Sequence, residues 1–297
     1  MRIGVGTGGR TVDESVASVR KAADQGFASA WFSNIFGLDA ITAAAVAGRE
    51  VPGIEVGTAV VPTFPRHPYA MAQQAVTAND ACGGRLVLGI GLSHQIVIES
   101  MLGLSFERPA RHMKEYLEVL MPLLREGAVG HTGEVYTTGA TLDRPRGDGP
   151  AVIVAALGPV MLRLAGALTD GTTTWMTGPR TIADHVAPTI NAAAEAAGRP
   201  APRVVVGLPV CVTDDVDAAR ALAAQTYAVY GGLPSYRAML DREGAEGPAD
   251  VAIVGDEETV AAAVRGVFDA GATELMAAPF GDTEAVARTT GLLAGLL

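Results

Sequence analysis

The chain has 297 residues and a formal net charge of −10, and 49% of its residues are hydrophobic while 18% are charged. This balance is typical of a globular protein with a sizeable core, since disordered chains lack apolar residues and carry excess charge. The acidic excess argues against nucleic acid as a partner, because phosphate backbones attract basic surfaces.

The termini and apolar runs predict a protein outside the membrane. The longest runs, such as "AITAAAVAG" at 40–48, fall short of the roughly 20 residues that a membrane span needs. The start "MRIGVGTGG" lacks the features of a secretory signal, so we expect a cytoplasmic protein. Cys82 and Cys211 lack the spacing of a zinc site or redox pair and are predicted to be buried apolar residues.

Eight apolar, β-rich runs alternate with alanine-rich helical patterns along the whole chain. The predicted strands are 2–6, 28–32, 54–61, 85–90, 151–157, 171–176, 203–212 and 274–278. The predicted helices are 12–25, 39–48, 68–81, 159–168, 181–197, 214–230, 257–270 and 283–296. Eight strand–helix pairs favour a single closed (β/α)8 TIM barrel, of the α/β class, over an open doubly wound sheet.

Two intervals are too long for one crossover and predict insertions after the fourth and seventh strands. Residues 95–150 contain a helix with Met113, Leu117, Leu120 and Leu124 on one face, followed by a predicted hairpin in "GHTGEVYTTGATLD". Residues 231–250 read as a polar, glycine-rich excursion. No linker divides the chain, so residues 1–297 are interpreted as one domain whose insertions form the active-site rim.

The first two strands carry ambiguous signals. Gly4, Gly6 and Gly9 match G-x-G-x-x-G, but no acidic residue ends the second strand, so a structural turn is favoured over a dinucleotide site. Trp31 is predicted to lie in the core. Asn34 and Phe36 follow the second strand and could line a pocket mouth, or Asn34 or Asp39 could cap the next helix.

The strand-three and strand-four ends bring charge and glycines to the same rim. Prolines pin "TAVVPTFPRHP" as a rigid rim that could brace a planar ring. Arg66 and His67 add positive charge there, although a solvated surface role is favoured for each alone. "LVLGIGLSH" at 86–94 has glycines that are expected to leave room for a flat or anionic group, and it ends in His94, which is either a polar residue at a helix start or a general acid.

The fifth and sixth strands complete the candidate site. Gly158 and Pro159 stand at the expected first turn of a helix, where free N–H groups attract a phosphate, or form an ordinary turn. Trp175 and Thr177 reach the same rim after the next strand. The five histidines lack metal-ligand spacing and no hydrolase triad order is present, so metal and covalent hydrolytic catalysis are disfavoured.

Several stretches resemble the luciferase-like monooxygenase superfamily, most closely its coenzyme F420-dependent oxidoreductase branch. The resemblance covers nearly the whole chain and is carried by four stretches: "GFASAWFSN", "VGTAVVPTFPRHPYAMAQQAVTANDACGGRLVLGIGLSH", "AALGPVMLRLAGALTDG" and "VAIVGDEETVAAAVRGVFDAGATEL". It implies a barrel, usually a homodimer, that holds a flavin or deazaflavin at the carboxyl ends of its strands. It also implies a bulge or non-proline cis peptide near Ala59 and Val60.

The resemblance further implies which residues meet the cofactor and substrate. The implied cofactor residues are Asn34, Thr58, Ala59, Val60, Gly91, Leu92, Ser93, His94, Ala156, Leu157, Gly158 and Pro159. Phe36, Trp175 and Thr177 would shape the substrate pocket. Relatives often carry Asp-His after strand two, whereas this chain has Asn34 and Ile35, and some carry a carboxylate where this chain has His94. Both departures move the predicted proton transfer to His94.

We therefore expect hydride transfer between coenzyme F420 and a C=C or C=N bond of a small organic substrate, with His94 as the proton donor. One alternative is an FMN-dependent monooxygenase on the same barrel, and another is a flavin-binding barrel without catalysis. Neither nucleic acid, a membrane nor a metal enters any of these hypotheses.

Overall fold

A computed structural model describes residues 1–143 and 149–297, and its main feature is a closed barrel of eight parallel strands. The strands in this part of the chain are β1 (Ile3–Thr7), β2 (Ser29–Phe32), β3 (Glu55–Thr58), β4 (Val61–Pro62), β5 (Leu86–Gly91), β6 (Ala128–Thr132), β7 (Thr137–Thr141), β8 (Ala151–Ala155), β9 (Gly171–Trp175), β10 (Arg203–Val212), β11 (Ile253–Gly255) and β12 (Glu274–Pro279). The barrel order is β1-β2-β3-β5-β8-β9-β10-β12, and β12 pairs with β1 to close it. The predicted fold class is confirmed.

Helices cover the outside of the barrel and contribute the insertions. They are α1 (Val12–Asp24), α2 (Ala40–Glu50), α3 (Pro68–Ala81), α4 (Pro109–Arg125), α5 (Pro159–Leu168), α6 (Pro179–Thr181), α7 (Ala187–Ala196), α8 (Val216–Thr226), α9 (Ala228–Gly232), α10 (Pro234–Glu243), α11 (Glu257–Asp269) and α12 (Thr283–Gly295). Wider π turns lie at Ile96–Met101 and Ile182–Val186, and a 3₁₀ turn lies at Pro248–Asp250. None of these helices is both long and apolar enough to cross a bilayer.

Both predicted insertions are present, after the fourth and seventh strands of the barrel, which are β5 and β10. The strand-four insertion contains α4, whose apolar face at Met113, Leu117, Leu120 and Leu124 is buried, and the antiparallel hairpin β6–β7. The strand-seven insertion differs from the predicted polar excursion because it contains α9 and α10. Pro234 starts α10, Met239 and Leu240 bury one face, and Gly244 ends it at φ 80°.

Three predicted elements are interrupted, and one strand was not predicted. The predicted strand 54–61 ends at Thr58 and resumes as β4, which pairs with β5. The predicted helix 214–230 breaks at Tyr227, whose ring turns to pack on Trp175 and Phe280. The predicted helix 181–197 begins with the π turn Ile182–Val186 and continues as α7. The unpredicted strand is β11, which pairs with β10.

The lower end of the barrel, where the strands begin, is filled by an ionic cluster of Arg2, Ser29, Glu55, Arg203 and Glu274. Glu274 is fully buried, and its Oε2 accepts from Arg2 Nε and Arg203 Nη2, each at 2.6 Å. Arg2 and Arg203 also donate to Glu55 at 2.6 and 2.8 Å. Each buried charge therefore has a partner, as the low dielectric of an interior requires.

An apolar layer lies above this ionic cluster and contains Trp31, as predicted. The indole Nε1 donates to Glu274 Oε1 at 3.0 Å and to Ser29 Oγ at 2.8 Å. A Cβ at Gly4 would lie 2.0 Å from Ser29 Oγ, and one at Gly57 would lie 2.4 Å from the Trp31 ring. The first glycine of the G-x-G-x-x-G match thus makes room for packing inside the barrel, which supports its structural reading.

Candidate active site

The end of β3 forms a bulge over β5. Regular pairing stops after Gly57, and the Thr58 hydroxyl then accepts from Gly89 N at 2.9 Å and donates to Gly89 O at 2.8 Å. The peptide bond between Ala59 and Val60 is cis, at the position that the family resemblance implies. Thr58 is fully buried, so its side chain holds the bulge, while Ala59 and Val60 remain partly exposed.

The glycines of β5 make room for this bulge. A Cβ at Gly89 would lie 1.8 Å from the carbonyl oxygen of Thr58, and one at Gly91 would lie 2.7 Å from the Val60 side chain. The expectation that these glycines leave space for a cofactor ring is therefore corrected, because the space that their missing side chains leave is occupied by the neighbouring strand.

The turn after β5 carries His94 at the upper end of the barrel, where the strands end. Ser93 has a φ of 61°, which re-aims the chain before His94. The His94 carbonyl accepts from the N–H groups of Val97 and Ile98, while its half-buried ring lies 5.7 Å from the Tyr236 ring. Burial lowers the pKa of His94, so its imidazole is neutral near pH 7. Leu92 packs its side chain against the core.

Asn34, Asp39 and His67 cap helices. Asn34 Oδ1 accepts from Ala40 N at 3.1 Å, and Asp39 Oδ1 accepts from Thr42 N at 2.9 Å. His67 Nδ1 accepts from the N–H of Tyr69, the second residue of α3. The capping alternative for Asn34 is thus observed, whereas Phe36 is 73% exposed beside it.

Arg66 is not the solvated residue that was favoured from sequence. Its guanidinium forms an ion pair with Asp39, and both side chains are largely buried. This pair joins the loop before α3 to the start of α2, so Arg66 fixes the rim of the barrel.

The turn between β8 and α5 carries an open helix N-terminus. Gly158 precedes Pro159, the first residue of α5, and no described side chain caps this end. A Cβ at Gly158 would meet nothing within 4 Å. Behind the turn, buried His185 donates from Nε2 to Leu157 O at 2.8 Å, and Ala156 is also buried. The backbone here is held from behind and free in front.

Each other α-helix that directly follows a described strand has at least one N-terminal N–H group bonded to a side chain. The capping residues of α1, α2, α3, α8, α11 and α12 are Thr11, Asp39, His67, Asp215, Asp256 and Asp282. At α6 the Glu243 carboxylate accepts from Arg180 N and Thr181 N. Because these ends are filled, the α5 terminus is better suited to an external anion.

An aromatic wall of Trp175, Tyr227, Tyr230, Tyr236 and Phe280 extends to His94. Trp175 lies 6.1 Å from Tyr230, Tyr230 lies 5.1 Å from Tyr236, and Tyr236 contacts the His94 ring. Burial raises the pKa of Tyr230 and Tyr236, so both phenols are neutral. No predicted site residue is one of these tyrosines, although three of them within residues 227–236 were an available signal.

The structure brings most of the predicted cofactor residues to one edge of the barrel. Ala59 and Val60 lie beside Gly91, and a Cβ at Gly91 would lie 3.2 Å from Ala155 Cβ, next to the α5 turn. Thr177 differs, since it is fully buried and its hydroxyl donates to Trp175 O at 3.3 Å. Within residues 1–143 and 149–297, no group of three or more His, Cys, Asp or Glu side chains could hold a metal ion.

The fold is a (β/α)8 barrel, and in enzymes of this architecture the active site lies at the carboxyl ends of the strands, where these residues meet. A sequence model of the luciferase-like monooxygenase family matches residues 1–288. The chain belongs to this family.

Individual relatives include two oxidoreductases. A 5,10-methylenetetrahydromethanopterin reductase from Methanolobus tindarius is 30% identical over 237 residues, which are 79% of this chain and 72% of that protein. An F420-dependent glucose-6-phosphate dehydrogenase from Nakamurella multipartita is 32% identical over 219 residues, which cover 71% of this chain and 62% of that protein.

A solved structure shows the same fold. The coenzyme F420-dependent tetrahydromethanopterin reductase from Methanopyrus kandleri superposes with a TM-score of 0.82. The match covers 100% of this chain and 98% of that one, at 21% sequence identity.

Proposed function

We propose that this protein is a coenzyme F420-dependent oxidoreductase that transfers a hydride between the deazaflavin and a C=C or C=N bond of a small organic substrate. The observation that carries the proposal is the 32% identity to an F420-dependent dehydrogenase over 71% of this chain. Bound F420 supplies a ring carbon that gives or accepts a hydride.

The residues at the upper end fit this cofactor. The open N-terminus of α5 at Gly158 offers N–H groups to its phosphate, and the adjacent bulge at Ala59 and Val60 offers a backbone surface beside Gly91. His185 holds the Leu157 carbonyl and so keeps the phosphate-binding turn in place. Leu92, Ser93 and Ala156 would complete the cradle, with Asn34 at its edge.

His94 is proposed to exchange the proton that accompanies the hydride. Because burial lowers its pKa, the ring is neutral near pH 7 and acts as a base in substrate oxidation. In substrate reduction it must first be protonated, so we expect the reductive rate to rise as pH falls towards this pKa. Trp175 and Phe36 would bound the substrate, and Thr177 would support Trp175.

Cofactor titration tests the proposal. Purified protein is titrated with oxidised F420, reduced F420 and FMN while fluorescence and the thermal midpoint are followed. Tight F420 binding that raises the midpoint supports the proposal. Binding of FMN alone would instead support the monooxygenase, and binding of neither would support a barrel without catalysis.

Replacement of His94 tests its role. His94→Ala is expected to lower turnover by roughly 10² to 10⁴ while F420 affinity is largely retained. His67→Asn is the matched control, because asparagine also caps a helix and His67 makes its capping bond outside the proposed reaction. An unchanged turnover in His94→Ala removes the assignment.

Two expectations concern the setting of the enzyme. The family resemblance favours a homodimer, and a location in the cytoplasm is proposed with it. Sedimentation equilibrium of the full chain and fractionation of the source cells measure these properties directly.

A further inference from the structure

A buried series of hydrogen-bonded groups runs from the strand-four insertion to the turn that carries His94. It consists of Tyr136 in the β6–β7 turn, His112 in α4, Thr63 after β4, and Gly91 at the end of β5. His112 is 4% exposed and Thr63 is fully buried. Buried polar groups must be hydrogen-bonded, so the direction of each bond can be worked out from the donors present.

The bonds allow an order of protons that runs from His112 to Gly91. Thr63 N and Thr63 Oγ1 both donate to Gly91 O, at 2.9 and 3.3 Å. Thr63 has one hydroxyl proton, and when Gly91 O accepts it, His112 Nε2, at 2.9 Å, is the donor to Thr63 Oγ1. His112 Nδ1 then lacks a proton and faces the Tyr136 hydroxyl at 3.5 Å.

The groups on two sides of His112 are fixed, one by ring stacking and the other by hydrogen bonds. Its ring stacks on Phe64 with centroids 3.8 Å apart and planes 6° from parallel. On the other side, Tyr136 is fixed because its N–H donates to Glu115 Oε2 at 2.9 Å, and the same carboxylate accepts from the N–H groups of Glu134 and Val135. The hairpin turn is therefore tied to α4 where His112 also lies.

The hydrogen-bonded series ends at Gly91, three residues before His94. Gly91 is followed by Leu92, by Ser93 in the left-handed region, and by His94. A shift of the Gly91 carbonyl would be passed to His94 through this short turn. Displacements of about 1 Å at a reacting group can cost up to 10²-fold in rate.

We propose that His112 is a positioning residue, which holds the Gly91 carbonyl through the Thr63 hydroxyl and so keeps the His94 turn in place for proton transfer. This inference rests on the proposed function, because it assigns a task to His94. His112 itself never meets the substrate.

Replacing Thr63 by valine removes the hydroxyl from this hydrogen-bonded series and keeps the volume of the side chain almost unchanged. Thr63→Val is expected to lower kcat by roughly 10-fold with F420 affinity within about twofold, and Thr63→Ser is expected to restore kcat. Thr169→Val is the matched control, since Thr169 is also buried and donates to carbonyls at the lower end of the barrel. It is expected to leave kcat unchanged.

Two further readouts separate positioning from stability. Thr63→Val should change the pH dependence of kcat that His94 sets, whereas a merely less stable protein should keep it. Nitrogen NMR of the intact protein should show the Nε2–H form of His112, with the Nε2 resonance shifted in Thr63→Val.

Each outcome bears on the inference. Unchanged kcat in Thr63→Val, equal losses in Thr63→Val and Thr63→Ser, or an Nδ1–H form of His112 would overturn it. Failure of the proposed function looks different, because the wild-type protein would then not bind F420 or His94→Ala would keep full activity.

Discussion

The two ends of the barrel interior solve opposite problems with the same eight strands. At the lower end, Arg2, Glu55, Arg203 and Glu274 saturate one another's charges. At the upper end, the backbone is partly exposed at Ala59, Val60 and Gly158, and the titratable group is His94. The difference teaches that stability and ligand contact are assigned to separate layers, so mutations at each end should have separable effects.

The largest expected effect is loss of stability at the lower end. Glu274→Ala leaves Arg203 partly buried without one of its partners, so the free energy of unfolding should fall by about 3–5 kcal/mol. Urea denaturation measures this, with Glu257→Ala as the control, which breaks an exposed pair with Arg288 and should change the free energy of unfolding little. A specific loss of F420 affinity in folded Glu274→Ala would contradict the separation of layers.

Gly89→Ala tests the upper layer by overpacking. The new methyl group would overlap the Thr58 carbonyl, and neither strand can move far, so unfolding free energy should fall by roughly 1–3 kcal/mol. Gly130→Ala in β6 is the control, because a Cβ there meets nothing within 4 Å. Equal urea midpoints for the two variants would show that the bulge is adaptable.

Acid should weaken the strand-four insertion near the upper end. Burial lowers the pKa of His112 to about 4 despite the nearby Glu115, so between pH 6.5 and 4 the unfolded chain binds the proton more tightly. The contribution of His112 to the free energy of unfolding is therefore complete above pH 6.5 and decreases as the pH falls towards 4. His112→Gln should flatten this slope by up to about 1.4 kcal/mol per pH unit, measured by urea titrations across the window. If His112→Gln leaves the slope of unfolding free energy against pH unchanged, His112 is not its source. Some slope should remain in this variant because burial also lowers the pKa of His94.

Glu115 sets a second acid window. Burial raises the pKa of this carboxyl, but hydrogen bonds from Tyr136, Val135 and Glu134 outweigh it and lower the pKa to about 2. Its stabilisation is present above about pH 4.5 and is lost as pH falls from there towards 2. In Glu115→Gln, the pH dependence below 4.5 should therefore be weaker than in the wild type.

The smallest stability effect is expected at Gly158. A Cβ there has open space and φ is −78°, so Gly158→Ala should change unfolding free energy by within about 0.5 kcal/mol. The methyl group would occupy the proposed phosphate position, so F420 affinity should fall by roughly 10-fold, measured by fluorescence titration. Gly139→Ala, in the open hairpin, should change neither quantity. Full F420 affinity in Gly158→Ala would move the phosphate elsewhere.

Much of the fold could be predicted because its signals are local. Pro68 and Pro159 mark the first residues of α3 and α5, and the bounds of both helices and of β10 match the prediction. Continuous apolar runs are typical of parallel strands buried on both faces, which made the barrel order readable.

The rest depended on contacts between distant residues. The interruption at Ala59 follows from Thr58 bonding Gly89, 31 positions away, so "IEVGTAVV" reads as one strand. The wall tyrosines are joined to His94 by packing between two insertions, which no periodicity reports. The expected free space at Gly89 and Gly91 is filled for the same reason, since the bulge that they accommodate comes from another strand.

The bond between Thr58 and Gly89 has a consequence for how such barrels diversify. One hydroxyl both accepts from an amide and donates to the carbonyl of the same residue, which among common side chains suits Thr and Ser. Position 89 must meanwhile lack a Cβ. The two positions should therefore be inherited together, and a hydroxyl residue paired with a glycine 31 places later offers a fingerprint for recognising or grafting this bulge in designed libraries.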